Sequence, residues 1–325
     1  MIEVNGLRKS YRSRRRGKVT SVEAVRGVDF AVQRAEIFGF LGPNGAGKTT
    51  TLRMLATLLR PDGGDATIAG ADLRKSPAEV RKRIGFVAQN SGTYGESTAR
   101  IDLVFQAQMY GVPKSAAKGL ADKSIAAFQL DEFADRKIST YSGGQRRRLD
   151  VALGVVHSPQ VIFLDEPTAG LDPTSRARMW QEVRRLRDEG MTVFLTTHYL
   201  DEADALCDRI SIMDGGLIVA EGTPSDLKRE ISGDVVTVDL AASDTVGAEP
   251  VAMEEASKIL TEQPCVRSAE TIESTLRLYV DSADTAIPQI MRALSAKGIE
   301  PRAIGSRRPS LDDVFLAKTG RTLAD

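Results

Sequence analysis

The chain is poor in cysteine, has no excess of either charge and contains no long apolar run. Two cysteines among 325 residues, Cys207 and Cys265, cannot build a disulfide framework and read as small buried side chains or free thiols, so nothing points to an oxidising compartment. Lysine plus arginine and aspartate plus glutamate both number 44, so no overall field recruits nucleic acid or an anionic membrane surface. No stretch approaches the ~18 uninterrupted apolar residues of a membrane span. The opening Met-Ile-Glu-Val-Asn-Gly lacks the charged-then-apolar pattern of a secretory signal. The expectation is a cytoplasmic protein that spans no membrane itself, long enough for two domains of about 100 to 200 residues each.

What is present is a phosphate loop. Gly42, Pro43, Asn44, Gly45, Ala46, Gly47, Lys48 and Thr49 fill every fixed position of G-x-x-x-x-G-K-[ST]. The loop follows the strand-like Ile37, Phe38, Phe40 and Leu41 and precedes a helix-like run from Leu52 to Leu59, with Thr50 in the first turn. Glycines let successive N–H groups close around phosphate oxygens, Lys48 reaches the outer phosphates, and the Thr49 hydroxyl suits a magnesium ion. The polarity of a helix N-terminus adds to the anion site. A turn that merely joined strand to helix has no use for both Lys48 and Thr49.

Three further segments refine this. Tyr141-Ser142-Gly143-Gly144-Gln145 precedes Arg146-Arg147-Arg148 and an apolar helix-like stretch. A helix opening at Ser142 offers a hydroxyl and free N–H groups to an anion, a second phosphate reader on one chain. Twenty residues on, the apolar Val161-Ile162-Phe163-Leu164 ends in Asp165-Glu166-Pro167. Such a run suits a strand buried on both faces, whose C-terminal end is where ligands sit in a parallel sheet. There Asp165 could hold the magnesium shell and Glu166 could orient or deprotonate water. His198 closes another apolar strand after Thr196 and Thr197, in position to sense a terminal phosphate.

With these residues in this order, roughly the first 230 residues resemble the nucleotide-binding subunit of ATP-binding cassette (ABC) transporters. The resemblance implies an α/β P-loop NTPase with an antiparallel arm, a helical subdomain at about 91 to 154, and ATP and Mg²⁺ as ligands. It assigns Walker A to Gly42 through Thr49, the Q-loop to Gln89, the signature to Ser142, Gly143, Gly144 and Gln145, and Walker B to Asp165. The base is then Glu166, the D-loop residue Asp172 and the switch histidine His198. Tyr11 would stack on adenine, with the basic run Arg12 to Lys18 lengthening the adjoining loop. The metal shell would draw on Thr49, Asp165 and Gln89. Tyr141 departs from a common leucine, and Ala88 stands where proline often precedes the glutamine.

Past Glu221-Gly222-Thr223-Pro224 the motifs stop. The remainder, 231 to 325, reads βαββαβ, which suggests a small ferredoxin-like domain with a regulatory or dimer-stabilising role. A final helix is expected from Ser310, with Asp313 three residues on. The ending from Arg307 to Arg321 resembles that of the daunorubicin-resistance type of bacterial drug-export ATPase. On this reading the chain powers export of drugs or similar lipophilic compounds. It would work as a homodimer on the cytoplasmic face of the membrane, attached to a separate multi-span permease. Export of lipid, polysaccharide or ions is the alternative. Pore-free ABC ATPases of repair and translation fit less well, since the chain has one P-loop and no sustained heptads.

Overall fold

The computed structural model describes residues 1–15, 18–231, 233–240, 249–272 and 275–321. The chain forms two compact units, Met1–Pro224 and a second from Ser225 onward.

The first unit holds two sheets. In one, Lys18–Val32, Ile2–Arg15, Gly63–Ile68 and Ala71–Asp72 lie side by side in that order, all antiparallel. The alternation of Val28, Phe30 and Val32 puts one face of this arm into the core. Of the basic run from Arg12 to Lys18, Arg16 and Gly17 lie outside the described residues, and the part that is described does not lengthen a loop. Arg12, Ser13, Arg14 and Arg15 pair with Ser21, Thr20, Val19 and Lys18 and extend the hairpin.

The other sheet has six strands, edge to edge Leu217–Gly222, Arg209–Asp214, Ile37–Leu41, Thr192–Thr197, Val161–Asp165 and Ile84–Val87. All pairs are parallel except the hairpin joining the first two. Ile37–Leu41, Val161–Asp165 and Thr192–Thr197 are buried at every position, as unbroken apolar runs require when both faces are covered. Phe30 of the antiparallel arm meets Phe40 at 5.0 Å between ring centroids, and Phe40 meets Phe194 at 4.9 Å. Phe194 in turn meets Phe163 at 5.6 Å, so aromatic packing joins the two sheets into one core.

Between the strands Ile84–Val87 and Val161–Asp165 the chain is helical: Ala99–Met109, Lys114–Ala127 and Gly143–Val155, with two short 3₁₀ turns. Gly111, in left-handed conformation at φ 87°, and Pro113 separate the first two helices. On Ala99–Met109 the large apolar residues Ile101, Phe105 and Met109 do not form the buried face. Ala99, Leu103 and Ala107 pack inward, while Ile101, Phe105 and Met109 are exposed.

The second unit runs strand Asp234–Leu240, helix Glu249–Thr261, strands Val266–Ile272 and Thr275–Val280, helix Ala283–Ser295 and strand Pro301–Arg307. The sheet order is Val266–Ile272, Thr275–Val280, Asp234–Leu240, Pro301–Arg307, antiparallel throughout. Val236, Val238, Leu276 and Leu278 pack against Ala256, Leu260, Ile290 and Leu294 of the two helices. The last helix, Leu311–Thr319, opens at the capping box of Ser310 and Asp313.

Candidate functional site

Strand Ile37–Leu41 delivers the chain into the phosphate loop, and helix Lys48–Leu55 leaves it. Two glycines are dictated by backbone crowding. A side chain on Gly42 would lie 2.2 Å from the Met213 carbonyl oxygen, and one on Gly47, at φ 105°, would lie 2.4 Å from that of Ala24. Lys48 is buried and donates to the carbonyls of Gly42 and, at 2.9 Å, Pro43. Burial lowers its pKa to about 8, partly countered by the nearby carboxylates of Glu166 and Asp165. An open cavity of about 200 Å³ is lined by Ala24, residues 43 to 50 and Glu166.

The parallel pairing carries Asp165 and Thr196 to adjacent strand ends. Asp165 is fully buried, and its Oδ1 accepts from the hydroxyls of Thr49 at 2.8 Å and Thr196 at 2.7 Å. Its Oδ2 is buried with no hydrogen-bond partner. A buried carboxylate oxygen left bare beside a threonine hydroxyl on a phosphate loop is costly unless a cation completes it. No group of three or more His, Cys, Asp or Glu among the described residues could hold a metal. Magnesium takes one or two protein oxygens and otherwise water and phosphate. Thr49 and Asp165 fit such an ion.

Glu166 follows in left-handed conformation, φ 45°, unusual for a residue other than glycine. Its N–H donates to Thr196 Oγ1 at 3.1 Å and to the Thr196 carbonyl at 3.2 Å. Gln89 Nε2 donates to Glu166 Oε2 at 2.9 Å. His198 Nδ1 lies 3.2 Å from Glu166 Oε1, close but outside hydrogen-bond geometry. Thus Lys48, Thr49, Gln89, Asp165, Glu166 and His198, far apart in sequence, meet at the C-terminal end of one sheet.

Ser142, Gly143, Gly144 and Gln145 lie outside the cavity lining. Ser142 caps helix Gly143–Val155: its Oγ accepts from Gln145 N at 3.2 Å, while Gln145 Oε1 accepts from Ser142 N at 2.8 Å. A side chain on Gly144 would lie 2.6 Å from Ser175 Oγ. Ser175 is held by Asp172, the cap of helix Pro173–Asp188, through bonds of 2.6 and 2.9 Å. The hydroxyl and N–H of Ser175 keep the Asp172 carboxyl below its ordinary range. Asp172 is therefore a neighbour of the signature segment. Tyr11 sits half-exposed on the antiparallel arm, paired with Val22, and does not line the cavity. Tyr141, the departure from leucine, is buried edge-to-face on Phe133 and donates to its carbonyl at 2.6 Å, a bond leucine could not make.

The motifs did not single out Arg147. Of three consecutive arginines, Arg146 donates to the Ile138 carbonyl and Arg148 to those of Phe128 and Gln129. Arg147 alone is driven inward, 6% exposed, to the carbonyls of Ala88, Asp165, Glu166 and Pro167. Helical phase decides this, and phase against a distant strand leaves no local signature.

Comparison with known proteins gives the same neighbourhood. A family model described as "ABC transporter" matches residues 25–169, and one described as "ATP-binding protein DrrA1-3-like, C-terminal domain" matches 222–319. The chain is 42% identical to the daunorubicin resistance ATP-binding protein DrrA2 of Streptomyces coeruleorubidus, over 91% of this chain and 90% of that protein. It is 35% identical to the linearmycin resistance ATP-binding protein LnrL of Bacillus subtilis, over the whole of both chains. The fold is similar to a dimeric post-hydrolysis ATP-binding cassette bound to ADP and Pi, with TM-score 0.62 and 24% identity, covering 69% of this chain and 98% of that one.

Proposed function

The chain belongs to the ATP-binding proteins of ABC transporters, an ATPase subunit of an exporter, and from that premise we propose that it powers efflux of amphipathic drugs or similar lipophilic compounds through a separate membrane permease. The observation that carries the catalytic part is the meeting of Gln89 and His198 on the Glu166 carboxylate, beside a phosphate loop and the bare oxygen of Asp165. Drug cargo is supported by the daunorubicin and linearmycin resistance for which the relatives above are named. Lipid or polysaccharide cargo is the second reading, because cargo is chosen by the membrane partner.

The chain's own groups divide the work. The loop amides and Lys48 bind the outer phosphates, and Lys48 leaves the carbonyls of Gly42 and Pro43 to do so. Thr49, Asp165 and Gln89 would hold Mg²⁺, which when bound would neutralise charge on the phosphates. Glu166 takes the proton of the attacking water, Gln89 aims that carboxylate, and His198 donates to the phosphoryl oxygens as charge develops there.

The assembly is a head-to-tail homodimer. A cavity of about 200 Å³ falls below the ~300 Å³ at which small-molecule pockets begin, as half of a site would. Ser142 and Gly144 of a second copy supply the missing wall, so each phosphate loop faces the other copy's signature. Among the described residues no helix is long and apolar enough to cross a membrane. The exposed Ile101, Phe105 and Met109, at four-residue spacing on one helix, supply an apolar ridge for a cytoplasmic loop of the permease. This attaches the subunit peripherally at the cytoplasmic face. The second unit, whose βαββαβ order supports a ferredoxin-like accessory domain, stabilises or regulates the dimer.

Glu166→Gln tests this reading. The variant should bind Mg-ATP, turn over at least ~100-fold more slowly, and shift from monomer to dimer with Mg-ATP in light scattering. Ser142→Arg added to it should abolish that shift. Near wild-type phosphate release by Glu166→Gln removes the base assignment, and unchanged drug accumulation in cells carrying chain and permease removes the cargo.

A further inference from the structure

We propose that Arg147 and Asp150, one turn apart on the signature helix, form a clamp that positions Gln89 and Glu166 for hydrolysis. The proposal rests on the roles given above to those two residues. Neither clamp residue needs to touch nucleotide. Both act through the backbone and side chains that carry the reacting groups.

The clamp has two jaws. On one, Arg147 donates to the Ala88 carbonyl at 2.6 Å, immediately before Gln89. Asp150 Oδ1 accepts from Ser91 Oγ at 2.7 Å, two residues after it. Gln89 is thereby gripped on both sides from a single helix. On the other jaw, Arg147 donates to the carbonyls of Pro167 at 2.7 Å, Asp165 at 3.0 Å and Glu166 at 3.2 Å. The geometry uses the fork of the guanidinium, which spreads donors in one plane to oxygens on two separate segments.

Glu166 explains why such a grip is needed. Its left-handed backbone is a conformation that non-glycine residues keep only when their surroundings over-determine it. Thr196 fixes its N–H and Arg147 fixes its carbonyl. Releasing the carbonyl side lets the peptide relax and carries the carboxylate away from Gln89 and His198.

Packing alone does not account for the arginine. Its closest carboxylate oxygen, on Asp150, is 4.0 Å away, so the buried cation is held chiefly by carbonyl dipoles. Burial lowers the Arg147 pKa, with Asp150, Asp165 and Glu202 opposing it. Apolar residues of similar volume commonly serve stability as well as a buried ion pair does. Because the same helix begins with Ser142, closure on the signature of one copy transmits through the clamp to the hydrolytic groups of that copy.

The test uses the full chain and compares wild type, Arg147→Lys, Ser91→Ala, Glu166→Gln and the Arg147→Lys/Glu166→Gln pair, reading Mg-ATP Kd, binding stoichiometry and kcat. Lysine keeps the charge and loses the fork. Arg147→Lys should leave Kd within about threefold and lower kcat per binding site at least ~10-fold. Ser91→Ala should lower kcat about threefold at unchanged Kd. On the Glu166→Gln background, Arg147→Lys should cost less than about twofold more, because both changes remove one effect. A purely structural arginine would instead lower stoichiometry and leave kcat per site at the wild-type value, and that result overturns the clamp. If Arg147→Lys does not fold, Ser91→Ala decides: wild-type kcat overturns the clamp and the threefold loss supports it. Turnover retained by Glu166→Gln rejects Glu166 as base, and the clamp then stands or falls on the kcat of Arg147→Lys alone.

Discussion

Asp165 in the first unit and Asp313 in the second are both completely buried aspartates, and they are buried for opposite ends. Asp313 has both oxygens engaged. Arg307 donates to each, Ser310 donates to Oδ2 from N and from Oγ at 2.7 Å, and Tyr279 approaches Oδ1 at 3.4 Å. Burial pushes the Asp313 carboxyl up, but the bonds from Arg307 and Ser310 outweigh it and leave it below the ordinary range. Asp165 has one oxygen held by two threonines and the other bare. A satisfied buried carboxylate specifies a fold, whereas one left half-satisfied is poised to receive a cation. Burial alone does not separate structure from function. At these two aspartates the bookkeeping of lone pairs does.

The contrast can be broken by exchanging the same atom at both positions. Asp165→Asn keeps the shape and the acceptor for Thr49 and Thr196 while removing the charge. It should lower ATP hydrolysis by at least ~100-fold and shift thermal unfolding little. Asp313→Asn should do the reverse. It leaves Arg307 facing a neutral group and should destabilise the second unit by about 2–4 kcal/mol, at the lower end of buried-pair losses because Arg307 is partly exposed. Mg-ATP affinity should stay within about twofold. Equal loss of hydrolysis and stability from both variants would erase the distinction.

A smaller effect sharpens it through pH. Phosphate favours charged Lys48, whose nucleotide-free pKa is about 8, so binding takes up a proton above that value. Mg-ATP affinity should be full below pH 8 and weaken as pH rises through it, by up to about tenfold per unit. Isothermal titration in buffers of different ionisation heat would show the proton uptake. A flat profile from pH 7 to 9.5 would mean that Lys48 carries no differential charge on binding. For Asp313 the sign is opposite. Its contribution to stability is present above the unfolded value of about 3.9 and is lost as pH falls through the lower folded value. The second unit should therefore lose a fraction of its stability only below about pH 4, read by urea midpoints.

The residues legible in the sequence are those whose chemistry is local. Gly42 to Thr49 must be contiguous because one turn of backbone wraps one phosphate, and Asp165 ends an apolar run because a buried parallel strand delivers its last residue to the ligand edge. The Ser310 cap could be read for the same reason, since its partner stands three residues on. Arg147 could not, because its four acceptors lie 18 to 59 residues away on other elements. The exposed face of helix Ala99–Met109 was equally hidden. Two of the three buried residues, Ala99 and Ala107, are small, so beside Leu103 the apolar pattern is dominated by the larger residues that face outward.

The central claim, that one ATP site is built from two copies, is tested most directly by mixing two inactive chains. Lys48→Ala disables the phosphate loop and Ser142→Arg disables the signature, so each pure variant should be inactive. In a mixed dimer one site carries both lesions and the other carries none. Equal mixing should restore about a quarter of wild-type phosphate release, since about half the dimers are mixed and each has one intact site of two. No activity above the two pure variants would contradict a shared site.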